Sequence, residues 1–483
     1  MDDLRKTKIV CTIGPASSGR EMIRDLLVAG MNVARLNFSH GDHETHESAI
    51  TIIREEAAKV GREIAIFADL QGPKIRTNEF EGGSITVKAG DEVRVIASAG
   101  MGHPGLITTK FAPLIHDGRE GDRILLDDGL VELKVTARDA DGLTCRVERG
   151  GPLKDRRGIN LPGVKLNVPA MTEKDHEDAE FALTLDIDFI ALSFVRNASD
   201  IEQLRVLINA RKPGVQIIAK IEKPEAIEDL AAILAAVDVI MVARGDLGVE
   251  LGIERVPGAQ KMMIREAIRN GIPVITATQM LESMITKPWP TRAEASDVAN
   301  AVFDGTDALM LSGETASGDY PIESVRIMRQ IIAEAERQRF ETNYNNLNIL
   351  DSRASRMGLS LGKAARVLAE QMGACAMACL SDTGNAAIRL TAQRPQIPVF
   401  MLSANLRAVR RMAMVRGAYG IKLVAEPAVG TVFPGMEAEL KVRGLIRTGD
   451  CVVYTAGISH GNKLATNTIH LRTVEAPVHT EHP

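Results

Sequence analysis

The chain has 483 residues, 45% hydrophobic and 25% charged, with a formal net charge of −5, a balance typical of folded proteins and a length that suggests about three domains of roughly 150 residues each. Negative charge and an aromatic content of 3% exclude the basic groove and stacking surface that nucleic-acid binding needs. No apolar run reaches the ~20 residues that span a bilayer, and the start, MDDLRKTKIVCTIGP, has no signal-peptide apolar segment, so no membrane association and a cytoplasmic location are expected.

Taken in chain order, Thr7 to Ile13, Asn32 to Phe38 and Ile64 to Leu70 read as strands. Between the first two, Ser18 and Glu21 have capping-box spacing, Ile23, Leu26 and Leu27 give a helical apolar face, and Gly30 suits a C-cap. From 71 to 167 polar and apolar residues alternate, as in ITVKAGDEVRVIA and LVELKVTA, with turn pairs Asp128-Gly129 and Asp141-Gly142, which predicts a β-rich insertion. The strand and helix rhythm resumes with Phe189 to Val195, Gln216 to Ile221, Val239 to Ala243, Pro273 to Thr278 and Ala308 to Leu311. Three strands before the insertion and five after it make eight, which fits a (β/α)₈ TIM barrel, with an open doubly wound sheet as the alternative. Beyond the polar stretch Asn343 to Ser355, a helical pattern (Leu359 to Met372) and strands at Ala376 to Leu380, Val399 to Leu402 and Cys451 to Thr455 predict a three-layer α/β domain. The expected division is barrel at 1–70 and 168–345, lid at 71–167, and C-terminal domain at 346–483.

Residues two apart on a strand face one side, so Lys220 and Glu222 project together into a barrel mouth while Ile221 packs outward. A strand-end salt bridge is the plain alternative for this pair. Other strand ends add Arg35, Asn37, Ser39, Asp69, Asp246, Thr278, Ser312 and Glu314. Glu222 and Asp246 suit Mg²⁺, which takes few carboxylates and completes its shell with water or substrate oxygens. Arg35 and Lys220 supply the positive charge that a transferring phosphoryl group requires. The glycines of ARGDLGVELG let backbone amides approach an anion.

TKIVCTIGP, NVARLNFSHG, GPKIRT, IIAKIEKPEAI, MVARGDLGVE, ATQMLESMITKPWPTRAEASDVANAVFDGTDALMLSGETASGDYP and SDTGN, in that order and over nearly the whole chain, resemble the successive motifs of pyruvate kinases. The resemblance implies a barrel with an inserted lid and a C-terminal regulatory domain, and transfer of phosphate from phosphoenolpyruvate to ADP, giving pyruvate and ATP. It implies that Lys220 stabilises the transferring phosphoryl group, that Glu222 and Asp246 hold Mg²⁺ (or Mn²⁺), and that Arg35, Lys220, Gly245, Asp246 and Thr278 line the substrate site. Arg35, Asn37, His40, Arg76 and Arg157 would contact nucleotide, and Thr278 with Ser312 would relay the proton to the enolate. A homotetramer is implied as well.

Two departures from the family pattern stand out. Arg157 replaces a common lysine. Asn37, Ser39, Asp69 and the Leu70 carbonyl match a K⁺ site, but DLQGPKIRT stands where K⁺-dependent members have DTKGPEIRT, so Leu70, Gln71 and Lys74 resemble the K⁺-independent bacterial branch and Lys74 is expected to replace K⁺. Ser381, Thr383, Gly384 and Asn385, in the SDTGN loop, form the expected effector site; with neither the SGR form seen alongside fructose 1,6-bisphosphate nor an arginine in GISHGNKLATN, a sugar monophosphate or AMP is the expected activator.

His40, His43 and His46 in HGDHETHES are read as solvent-facing residues opening a helix rather than metal ligands, Asp127 and Asp128 as part of a hairpin turn, and Cys375 and Cys379 as buried small hydrophobes. The competing functions are a Mg²⁺-dependent aldolase or mutase acting on phosphoenolpyruvate or pyruvate, and a noncatalytic metabolite sensor. An ADP requirement separates the first from a kinase, and turnover excludes the second.

Overall fold

A computed structural model describes residues 4–164, 168–338, 349, 356–425, 427, 429–457 and 466–475. Eight strands close into a parallel barrel: β1 (Lys8–Ile13), β2 (Val33–Asn37), β3 (Ala65–Asp69) and, beyond an insertion carrying β4 to β11, β12 (Phe189–Leu192), β13 (Gln216–Ile221), β14 (Val239–Ala243), β15 (Val274–Ala277) and β16 (Ala308–Leu311). Strands buried on both faces read as continuous apolar runs, and all six residues of β1, KIVCTI, are buried. Val10, Val33, Phe67, Phe189, Ile218, Met241 and Met310 fill the barrel interior. Ile9, Ile66, Ile190, Ile217 and Ile221 point outward against the helices, so Ile221 packs as its register predicts. The closed barrel replaces the open-sheet alternative.

The insertion comprises β4 (Ser84–Val87), β5 (Glu92–Ala97), β6 (Leu106–Thr109), β7 (Arg123–Leu126), β8 (Val131–Arg138), β9 (Gly142–Arg149), β10 (Gly151–Lys154) and β11 (Ile159–Asn160). Six of these form one sheet, β11-β7-β8-β9-β5-β6, and β10 pairs with β4. Asp127, Asp128 and Gly129 adopt positive φ between β7 and β8, the backbone of a hairpin turn. The neck is antiparallel: Thr77 N donates to Arg157 O at 2.8 Å and Ile159 N to Ile75 O at 2.9 Å.

At the C-terminal end, β17 (Ala376–Leu380), β18 (Val399–Ser403), β19 (Ala418–Lys422), β20 (Cys451–Ala456) and β21 (Thr468–Thr473) form a sheet ordered β19-β18-β17-β20-β21. Apolar clusters cover both faces, one under helices Arg356–Gln371 and Asn385–Ala392 and the other under Val432–Val442, which makes the three layers. This domain closes the barrel floor, where Met414 joins the interior cluster. Arg394 there donates to both Asp307 oxygens at 3.0 and 3.1 Å, with both side chains buried.

Some sequence expectations need correction or lie outside the described residues. The helix Arg20–Ala29 starts at Gly19 with no side-chain cap; Ser17, not Ser18, accepts locally, from Gly14 N at 3.0 Å, and Ile23 N bonds to Gly19 O, so the Ser18/Glu21 box does not form. Cys379 is buried but Cys375 is exposed. The boundaries expected at 167 and 345, most of the stretch 343–355 and the loop 458–465 fall outside the described residues. Among the described residues, no helix is long and apolar enough to cross a membrane.

Candidate active site

The carboxyl ends of the barrel strands bring one ionic network together. Arg35 on β2 donates from Nε to Asp69 Oδ2 at 2.6 Å and from Nη1 to Thr12 Oγ1 at 3.1 Å. Lys220 on β13 donates from Nζ to Ser193 Oγ at 2.7 Å and stands 3.4 Å from Asp69 Oδ1 and 3.1 Å from Glu222 Oε1. The Ser193 hydroxyl donates to Leu70 O at 2.7 Å, and Phe194 N donates to Glu222 Oε2 at 2.7 Å. Gly72 is required here: a Cβ on it would lie 2.8 Å from Ser193 Cβ, and its φ is +71°.

Burial acts on the charges of Lys220, Asp69 and Glu222. Alone it would lower the Lys220 ammonium, but Asp69 and Glu222 outweigh it and the pKa stands above the ordinary lysine value, which keeps the charge. Burial likewise pushes Asp69 up, and Lys220 and Arg35 overcome it, so this carboxyl lies below its usual range. For Glu222 burial prevails; with Asp246 adding repulsion and Lys220 opposing, its pKa is raised.

Asp246 lies in the helix Arg244–Leu251 that follows β14, and its Oδ1 is 3.2 Å from Lys74 Nζ. Lys74 therefore rests on a carboxylate of the site, not among the Asn37, Ser39, Asp69 and Leu70 oxygens that match a K⁺ site. Three of those oxygens have partners within the chain: Asn37 Oδ1 accepts from Ser39 N at 3.2 Å, Leu70 O from Ser193, and Asp69 from Arg35. Gly245 faces Thr278 closely enough that a Cβ would come within 2.9 Å of Thr278 Cγ2. Ser312 follows β16, and its N–H donates to Glu314 Oε2 at 2.7 Å; Glu314 Oε1 accepts from Leu281 N at 3.0 Å. Glu314 thus ties the loop after β15 to the loop after β16.

Residues 4–325 match the family model "Pyruvate kinase, barrel domain", and residues 360–471 match "Pyruvate kinase, alpha/beta domain". The chain belongs to the pyruvate kinase family. It is 45% identical over 480 residues to the pyruvate kinase of Geobacillus stearothermophilus, an alignment covering 97% of this chain and 80% of that one. The pyruvate kinase of Mycobacterium tuberculosis is 42% identical over 470 residues, covering 97% of this chain and 98% of that one. A crystal structure of a pyruvate kinase from Cryptosporidium parvum superposes with a TM-score of 0.91 at 35% identity, covering 98% of this chain and 96% of that one. The kinase reading therefore stands over the aldolase, mutase and sensor alternatives. Membership in the pyruvate kinase family implies phosphoenolpyruvate and ADP as substrates, pyruvate as product, and a divalent metal.

Of the residues matched to nucleotide contacts in pyruvate kinases, Arg35 and Asn37 lie on β2 and His40 is exposed in the turn just after it. Arg76 and Arg157 stand on the lid neck, where Arg76 Nη1 donates to Arg156 O at 3.2 Å and Arg157 Nη1 is 3.4 Å from Asp127 Oδ1. Of the three histidines, His40 and His43 are exposed as expected, and His46 is the correction. His46 is buried and stacked on Phe38 at 4.2 Å, and His43 stacks on Phe181 at 4.0 Å while meeting Asp178 Oδ1 at 2.9 Å. The apolar ring of Phe38 draws His46 in, while His43 stays exposed over Phe181.

In the C-terminal domain, SDTGN connects β17 to the helix Asn385–Ala392, with Gly384 at φ +82° and its N–H donating to Ser381 Oγ at 3.1 Å. Thr383 and Asn385 line a cavity of about 510 Å³ between this domain and the barrel floor, together with Arg389, Arg407 and Arg411.

Sequence reasoning missed three supports of the site. Ser193 lies two residues beyond Ala191, an interior residue of β12, and the period of two could have found it. Arg244 sits within the quoted glycine-rich motif. Glu250, which accepts from Lys223 Nζ at 2.6 Å and from Asn160 Nδ2 at 2.8 Å, joins the lid's last strand to the barrel and carries no local signal.

Proposed function

We propose that the Arg35, Asp69, Lys220 and Glu222 network transfers the phosphoryl group of phosphoenolpyruvate to ADP. The observation that carries this reading is the Lys220 ammonium, nearly enclosed, kept charged by Asp69 and Glu222 and fixed on Ser193. Preorganised charge aimed at a transferring phosphoryl group is the main lever for such a reaction. Arg35 adds a planar donor fork already oriented by Asp69 and Thr12.

Glu222 and Asp246 fit a divalent cation, Mg²⁺ or Mn²⁺. Glu222 Oε1 is buried, with the Lys220 ammonium 3.1 Å away as an ion-pair partner, and two carboxylates with remaining positions open to water and substrate suit Mg²⁺. Bound there, the cation would polarise substrate oxygens. Lys220 and Arg35 bind and orient the anionic groups, and Gly245 lets Thr278 pack closely against the start of the Asp246 helix. A Lys220 held by phosphate is poorly placed to protonate carbon, so Thr278, with Ser312, relays the proton to the enolate.

Arg35, Asn37, His40, Arg76 and Arg157 form the nucleotide site. The Arg157 Nε is buried without a hydrogen-bond partner, leaving donor capacity for a phosphate. K⁺ is not required, since the Asn37, Asp69 and Leu70 oxygens are engaged within the chain and Lys74 brings a positive charge to Asp246. A sugar monophosphate or AMP binds at Ser381, Thr383, Gly384 and Asn385 and activates; the arginine-lined cavity beside this loop supports an anionic effector. The division at 1–70, 71–167, 168–345 and 346–483, a homotetramer and a cytoplasmic location complete the reading.

A coupled assay that requires both ADP and phosphoenolpyruvate tests the reaction, and activity with either omitted would sink it. Titration with ribose 5-phosphate, glucose 6-phosphate and AMP tests the effector; no response to any removes it.

A further inference from the structure

Thr278 and its neighbour Gln279 both adopt left-handed backbone, with φ of +75° and +54°. For a β-branched residue this is an outlier that persists only where the surroundings hold it. The holding group is Arg244. Its side chain is 11% exposed, and its fork meets three successive carbonyls: Nε lies 3.2 Å from both Ala277 O and Thr278 O, and Nη2 lies 2.7 Å from Thr278 O and 3.3 Å from Gln279 O. Nη1 donates to Asp297 Oδ1 at 2.9 Å and, more weakly, to Gln260 Oε1 at 3.4 Å. Asp297, in the helix Arg292–Phe303 that follows β15, thus fixes the guanidinium from behind. The next residue in the chain, Gly245, is the one whose missing Cβ admits the Thr278 methyl. One short segment therefore makes the turn and leaves the space for its side chain.

We infer that Arg244 is a positioning residue for proton transfer, holding the left-handed turn that aims the Thr278 hydroxyl at the enolate. This rests on the reading of Thr278 as the proton relay. Among the described residues its hydrogen bonds go to these carbonyls, Asp297, Gln260 and the Met280 sulfur rather than to Glu222 or Asp246; it fixes where a hydroxyl stands. Only a planar fork spans three carbonyls and a carboxylate at once, so lysine is a poor substitute. Losing it should slow protonation of carbon more than transfer of phosphate.

Two readouts separate these steps in the intact enzyme: hydrogen–deuterium exchange at the pyruvate methyl group in D₂O with Mg²⁺ and inorganic phosphate, and single-turnover ATP formation from phosphoenolpyruvate and ADP. Arg244→Gln is expected to lower methyl exchange about tenfold more than ATP formation, and to change ATP formation by less than about twofold when introduced into Thr278→Ala. Arg244→Lys, which keeps the charge, is expected to follow the same pattern and stands in if Arg244→Gln does not fold. Equal losses in both readouts, or the same loss with and without Thr278, would overturn the proposal and leave the Thr278 reading intact. Unchanged methyl exchange in Thr278→Ala alone would overturn both.

Discussion

Lys74 Nζ lies 3.2 Å from Asp246 Oδ1, which joins the turn leaving β3 to the helix after β14 across 172 positions of chain. An ammonium is thus built in at the edge of the site. Rates in Na⁺, K⁺ and tetramethylammonium chloride are therefore expected to agree within about twofold, because a tethered charge does not depend on the salt cation. Activity that vanishes without K⁺ contradicts this.

Ser193 Oγ accepts from the Lys220 ammonium at 2.7 Å and donates to Leu70 O at 2.7 Å. Ser193→Ala leaves the lysine charged but free to swing, so kcat is expected to fall about tenfold, since misplacing a charge-stabilising donor costs about 1–2 kcal/mol of barrier. Steady-state kinetics beside a thermal melt check this, and an unchanged kcat in a folded variant refutes it.

Glu314 is fully buried and accepts from Leu281 N at 3.0 Å and Ser312 N at 2.7 Å. Its pKa is raised by burial, against which the two amide bonds work. Glu314→Ala strands both amides and opens a cavity, and stability is expected to drop by about 2–4 kcal/mol in urea unfolding. A loss under about 0.5 kcal/mol, the range of ordinary surface substitutions, would show that the two loops hold without it.

Lys8 is buried at the barrel floor, its Nζ donating to Ala418 O at 2.7 Å and lying 4.1 Å from the Tyr419 ring centre. Burial, with Arg5 next and Glu336 opposing, brings its pKa from 10.5 down to about 7. An unfolded lysine keeps its proton to about pH 10.4. Between these values the unfolded chain binds more protons, so this group's cost to stability is full below pH 7 and is relieved as pH rises toward 10. The carbonyl bond and the ring offset part of it. Lys8→Met is expected to be more stable at pH 6.5 by on the order of 1–3 kcal/mol, with the difference shrinking by pH 9.5. A variant less stable than wild type at pH 6.5 contradicts the account.

Much of this was legible in the sequence where the signal is local. Gln216 to Ile221, Val239 to Ala243 and Ala308 to Leu311 match β13, β14 and β16 at both ends; the last two are uninterrupted apolar runs bounded by polar residues, and the first is apolar apart from Gln216 and Lys220. β19 and β21 were not expected. Tyr419 and Gly420 leave β19 half-exposed, and β21, TIHLRT, is an edge strand no face of which is fully buried. The pairing of Lys220 with Glu222 followed from register alone. The partners that define the rest of the site do not: Asp69 reaches Lys220 and Lys74 reaches Asp246 only through barrel closure and the lid neck, and the strain at Thr278 is a backbone property with no compositional mark.

The central claim is that Lys220 carries the phosphoryl transfer, and the coupled assay with phosphoenolpyruvate and ADP on wild type and Lys220→Met tests it most directly. Removing a charge aimed at the transferring group is expected to cost several kcal/mol of transition-state stabilisation, about 10³-fold or more in rate, in a protein that still folds. A folded Lys220→Met enzyme retaining most of its activity would contradict the assignment.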